Sequence, residues 1–140
     1  MRKRVFQYLL GGMIVSLLPL SLSAGEFDGS KPLVCASIHA AECGAEEQRC
    51  LSGPPWKMNF PVFLEIDFAA GKATTTRQYK GARISEIELV VHLNNKRMSI
   101  QGTDGDYSWS MLVSEETGSM TLAVAGEEVG FVVFGACTPR

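Results

Sequence analysis

The chain has 140 residues, of which 46% are hydrophobic and 20% charged, and its formal net charge is −2. That length suits one domain built around one core. The slightly acidic balance offers no basic surface for a polyphosphate, which argues against nucleic acid as a partner.

The first residues, MRKRVFQYLLGGMIVSLLPLSLSAGEF, begin with Arg2, Lys3 and Arg4 and continue as an apolar run from Tyr8 to Leu20. Pro19 and the small residues Ser21, Ser23, Ala24 and Gly25 follow, completing the three-part layout of a secretory signal peptide. The apolar run is shorter than the ~20 residues that a bilayer demands, so a membrane anchor is the weaker reading. Residues 1–24 are therefore expected to be the signal, with the cut at Ser23, Ala24 or Gly25, and residues 25–140 a single β domain with no membrane span. The expected address is periplasmic or secreted. Loss of Arg2, Lys3 and Arg4 leaves 10 of the 13 basic residues against 15 acidic ones, making the mature domain more acidic.

Three of the four cysteines lie in VCASIHAAECGAEEQRC, at Cys35, Cys43 and Cys50, and the fourth is Cys137. Outside the cytoplasm thiols are oxidised, so four cysteines in a short exported chain read as two disulfides. The gaps between them are too wide for a structural zinc site, and neither C-x-x-C nor C-x-x-C-H occurs. No metal and no cofactor is expected.

From Phe60 onward the hydrophobic period is two. In PVFLEIDF, Val62, Leu64, Ile66 and Phe68 alternate with Glu65 and Asp67. In EIELVVHL, Ile87, Leu89, Val91 and Leu93 are expected on the buried side, with His92 on the side of Glu86 and Glu88. YSWSMLV places Tyr107, Trp109, Met111 and Val113 on one face, and SMTLAVA repeats the pattern through Met120, Leu122 and Val124. Such alternation marks strands with one buried face. The last run, VGFVVFGAC, is apolar on both faces, as in a strand covered on both sides or one facing a partner. Turn residues such as Asn94-Asn95 and Asp104-Gly105-Asp106 separate the runs.

With LVCASIH and ATTTRQ added, the chain reads as an all-β antiparallel meander of about eight strands. Eight such strands close into a small barrel and remove both sheet edges; an open two-sheet sandwich is the alternative. Closure makes the first and last strands antiparallel neighbours, which sets Cys35 beside Cys137 within disulfide range. Cys43, beyond the far end of the first strand, would lie more than about 20 Å from Cys137 at ~3.3 Å per residue. The expected bridges are Cys35–Cys137 and Cys43–Cys50.

FDGSKPLVC, the spacing ECG…C and the ending GFVVFGACTP resemble a group of small exported proteins of Gram-negative bacteria with no established activity. The resemblance spans nearly the whole mature chain. It implies a periplasmic address and a compact domain, and carries over no functional residue. Lipocalin-like and lysozyme-inhibitor barrels are comparable in size and strand number, which is a likeness of architecture alone.

For chemistry, the chain offers two histidines: His39, expected on the Cys35 side of its strand, and His92. The pairs Glu65/Asp67 and Glu86/Glu88 have glycosidase-like potential only across a cleft, and alternation puts them on solvated faces. No serine sits in G-x-S-x-G, and no catalytic residue is assigned, so an enzyme is not expected. Tyr107 and Trp109 share a face with Met111, where they fill the core or line an apolar pocket; a domain of this size favours filling. Trp56, after Pro54-Pro55, is placed to cover a barrel mouth or anchor a partner. The expected roles, in order, are a non-catalytic module binding an envelope protein, a carrier or sensor of a small apolar ligand, and a hydrolase using exposed carboxylates.

Overall fold

The computed structural model describes residues 27–46, 49–77 and 81–140; the signal-peptide reading lies outside them. The described residues form nine strands and a single 3-10 turn. In chain order these are β1 (Leu33–Gly44), β2 (Leu51–Gly53), the turn Pro55–Met58, β3 (Phe63–Asp67), β4 (Lys72–Arg77), β5 (Gly81–Leu93), β6 (Arg97–Asp104), β7 (Tyr107–Ser114), β8 (Ser119–Ala125) and β9 (Val129–Pro139).

Every pairing is antiparallel, and from β3 to β9 each strand pairs with the next. β1 closes the circle. It pairs with β9 along its length, from Leu33↔Pro139 to Gly44↔Val129, while its first residues pair with β3. The result is a closed eight-stranded barrel, and the two-sheet sandwich is set aside. The ninth strand, β2, is an addition that the period-two pattern did not show. It folds back on Ala40–Glu42 of β1 beyond the point where β3 leaves. At three residues it is too short to display alternation.

Both bridges form as closure requires. Cys35 and Cys137 are direct register partners at the β1–β9 seam and are joined, 102 residues apart in sequence. Cys43–Cys50 ties the loop that returns β2 to β1. No described cysteine is free.

Two bulges reverse the expected side-chain phase. In β1 the register shifts between Ser37 and His39, leaving Ile38 as the extra residue. Ala40 is buried in place of His39, which is exposed rather than on the Cys35 side. In β5 the shift falls between Ile87 and Leu89, at Glu88. Leu89, Val91 and Leu93 then pair with Gln101, Ser99 and Arg97 on the outer face and are 48%, 37% and 41% exposed. The expectation that they are buried is therefore overturned, because one inserted residue moves every later side chain to the other face.

Each bulge faces a glycine. Gly135 lies opposite Ser37, and Gly102 opposite Ile87. A Cβ on Gly135 would meet the Ala36 carbonyl oxygen well inside van der Waals contact, and one on Gly102 would meet that of Glu86. Met120 and the ring of Trp109 lie over these two glycines and occupy the space a side chain would take. A bulge that bends one strand and a bare backbone opposite it together give the curvature that closure needs.

The lower half of the barrel is packed solid. Leu33, Cys35, Met98, Ile100, Val113 and Val133 are almost or wholly removed from solvent. Residues before β1 cross this end. Phe27 lies against Gly118 of the β7–β8 turn, and Gly29 sits by Met98 and Phe68.

Candidate functional site

The upper half of the barrel is hollow. A cavity of about 330 Å³ opens between the β6–β7 turn and the segment after the 3-10 turn. Its wall is built by the inward residues of successive strands: Leu64 and Ile66 from β3, Ala73 and Thr75 from β4, Ser85 from β5, and Tyr107, Trp109 and Met111 from β7. Leu122 and Val124 from β8 and Val129 and Phe131 from β9 complete it. Ala73, Thr75 and Ser85 are the small residues of this wall, and they leave space that larger side chains would fill. Ala73 is the smallest wall residue and lies in register with Ile66 and Ser85.

The segment Met58–Pro61 roofs one side. Pro55 is fully buried and seats the 3-10 turn, whose end is marked by Asn59 in the left-handed region (φ 50°). That reversal turns Phe60 inward, where its ring meets Phe131 at 5.5 Å between centroids. Tilted aromatic pairs at this separation favour a fixed mutual orientation. Trp56, on the same turn, points away and is 62% exposed. Of the three aromatics singled out from sequence, Tyr107 and Trp109 are thus brought together in the cavity wall, and Trp56 is not.

Trp109 does both things expected of it. It is only 8% exposed and belongs to the core cluster, yet it also lines the cavity. Its indole Nε1 is buried without a hydrogen-bond partner, one of two such side-chain atoms among the described residues. The other, Ser37 Oγ, sits at the β1 bulge and is not part of the cavity wall. A buried donor left unpaired is costly, and the edge of the ring that carries it packs over Gly102 of β6.

Charge is confined to the rim. Arg83 Nε and Asp104 Oδ2 are 2.8 Å apart and both half-buried, and Glu42 is the remaining ionised side chain of the lining. The only buried polar or charged residues described are Ser37 and Ser85. The deep wall is therefore uncharged, and its mouth is weakly acidic. Sequence reading missed Arg83, Ser85 and Asp104 as site residues. The signal was there for the first two: Arg83 and Ser85 precede Ile87 at period two, so an arginine was in phase with an inward face. Met58 and Phe60 had no such signal, because they follow Trp56 in a loop without period.

The other charged side chains lie outside the cavity wall. Glu65 pairs with Arg140, Asp67 accepts the Ala70 amide, and the Thr103 hydroxyl donates to Glu88. His92 pairs with Glu115 at the closed end, where Lys96 and Glu116 also form an ion pair. Hydrogen bonding within that exposed pair holds the Glu116 carboxyl below its ordinary range and the Lys96 ammonium above it. Asp28 is held low by hydrogen bonds from Ser30. Among the described residues, no three His, Cys, Asp or Glu side chains are grouped to hold a metal ion. No described helix is long and apolar enough to cross a membrane.

Compared with protein families, with curated proteins and with solved structures, the chain gives no match.

Proposed function

We propose that this barrel is an exported, periplasmic carrier or sensor of a small, mostly apolar molecule held in its hollow upper half. The cavity carries the proposal: about 330 Å³, an apolar wall and a few polar groups match the ordinary make-up of small-molecule sites. The export reading rests on the basic start, the apolar run and the two disulfides, which belong in an oxidising compartment. This ordering places ligand binding above protein binding, because the hollow is a concave site and the aromatics within it are fixed.

The test is to narrow the cavity at its smallest wall residue. Ala73→Phe directs a ring into the hollow from β4, whereas Thr121→Val changes the outer face of β8. Titrated with a naphthalene-sized apolar fluorophore, the wild type and Thr121→Val are expected to bind alike, and Ala73→Phe at least about tenfold more weakly. That factor corresponds to ~1.4 kcal/mol. Equal binding by all three would place the fluorophore on the outer surface and end the proposal.

Engagement of an envelope protein is the second reading, favoured by exposed apolar side chains outside the cavity. Trp56 is 62% exposed, and Phe63, Ile38 and Phe134 are 57%, 66% and 48% exposed on the outer face of β3, β1 and β9. On this reading the native mass of protein released gently from its compartment exceeds that of the bare chain. Trp56→Ala then lowers it to the bare-chain value, with an unfolding free energy within ~0.5 kcal/mol of wild type. A bare-chain mass in both proteins would count against it.

A further inference from the structure

We infer that the occupant of the hollow is an apolar amine, a body of about two fused rings whose protonated amino group is received by the inward-facing carboxylate of Glu42. The inference rests on the ligand-binding reading and adds to it the charge of the occupant.

Glu42 owes its direction to the first bulge. Leu33, Cys35 and Ser37 face inward, and without the extra residue Ile38 that phase would continue through His39, Ala41 and Cys43. The bulge passes it to Ala40 and Glu42 instead, so that Ala40 is fully buried and Glu42 lines the hollow. Bulges commonly re-aim a side chain in this way beside a binding site. The backbone of Glu42 is held on both sides, by Leu51 of β2 and Phe131 of β9. The next residue, Cys43, is tied to Cys50. The carboxylate is thus aimed and fixed.

What it lacks is a counter-ion. Glu42 is half-buried and has no hydrogen bond or ion pair with any described residue. Arg83, the basic side chain of the lining, is already paired with Asp104 at 2.8 Å. The described lining therefore sets two carboxylates, Glu42 and Asp104, against one guanidinium. A charge turned into an apolar hollow costs solvation unless an opposite charge meets it. A protonated amine supplies that charge, whereas a carboxylate would meet charges of its own sign.

The rings beside Glu42 suit a cation as well. Phe131 is its register partner on β9, and Phe60 packs against Phe131. Both rings line the hollow, and aromatic faces attract cations. Size follows from volume. A dry apolar cavity of about 150 Å³ takes one benzene. A hollow of about 330 Å³ takes roughly twice that, two fused rings with a short substituent.

Three naphthalenes of similar shape provide the test: 2-(aminomethyl)naphthalene, 2-ethylnaphthalene and 2-naphthoate, titrated at neutral pH against the mature, oxidised protein. The wild type is expected to bind the amine at least about tenfold more tightly than the naphthoate. Glu42→Gln keeps the shape of the side chain and removes its charge. It should weaken the amine about three- to tenfold and leave the hydrocarbon within about twofold of wild type. Glu86→Gln removes an exposed carboxylate of β5 outside the cavity wall and should change neither.

An amine affinity untouched by Glu42→Gln, or lowered as much by Glu86→Gln, would overturn the inference. So would equal losses of amine and hydrocarbon in Glu42→Gln, which would leave Glu42 a packing residue of the wall. Should that variant not fold, the wild type decides: naphthoate bound as tightly as the amine overturns the inference. In each case a bound hydrocarbon leaves the ligand-binding reading standing. Failure of all three compounds to bind the wild type would overturn both.

Discussion

Cys35→Ala combined with Cys137→Ala is expected to cost about 4–5 kcal/mol in urea unfolding, while removing Cys43 and Cys50 together should cost about half as much. In the chain-entropy account a loop of roughly 100 residues contributes ~4.7 kcal/mol and one of eight residues about half that. The two bridges here span separations of 102 and 7 residues. Position reinforces the ranking. Cys35 and Cys137 are buried within the core at the one seam where the first long strand meets the last, whereas Cys43 and Cys50 are exposed. A domain stable by ~5–15 kcal/mol would retain the fold without the short bridge and come close to losing it without the long one. Equal losses from the two pairs would mean that the seam is held by its strand pairing alone.

Gly135→Ala and Gly102→Ala are each expected to destabilise by about 3 kcal/mol or more, at the upper end of the range for overpacking. In both cases the added methyl meets a main-chain carbonyl of the bulged strand, Ala36 or Glu86, and a carbonyl cannot swing aside as a side chain does. Gly130 is the internal control. It lies in the same strand as Gly135, and a Cβ there would rest 3.5 Å from the Val124 carbonyl oxygen, an ordinary contact. Gly130→Ala should therefore stay within about 1 kcal/mol of wild type, since alanine restricts the unfolded chain without crowding the folded one. Similar unfolding free energies for all three variants would show that the bulges do not depend on their glycines.

These two expectations also divide what was legible in the sequence from what was not. Strand existence was legible because alternation is local: Leu64 and Ile66, or Trp109, Met111 and Val113, declare an inward face within a few residues. The bridge Cys35–Cys137 followed from strand number and chain direction, without any knowledge of packing. The bulges at Ile38 and Glu88 were not legible. In β5 the alternation of Ile87, Leu89, Val91 and Leu93 runs on unbroken through the bulge, in β1 there is no clear alternation to break, and the feature that permits each bulge is a glycine on another strand. Gly135 is 97 positions from Ile38 in sequence, so only the folded pairing reveals the correspondence. His39 was misplaced for that reason, and so were Leu89, Val91 and Leu93.

The candidate site divides the same way. Tyr107 and Trp109 were identifiable because their strand is regular, but their partners Arg83, Asp104 and Phe60 come from three other segments that only closure assembles. By itself the sequence determined an all-β chain, antiparallel, of even strand number in its closed part, stapled at the seam by its first and last cysteines. Only the tertiary structure decided that half of the interior is filled and half is hollow. A residue's inward direction is a property of its own strand, whereas the empty volume is the difference between the circumference the strands enclose and the side chains that meet across it. Ala73, Trp109 and Leu122, from three different strands, line one hollow that no single strand records.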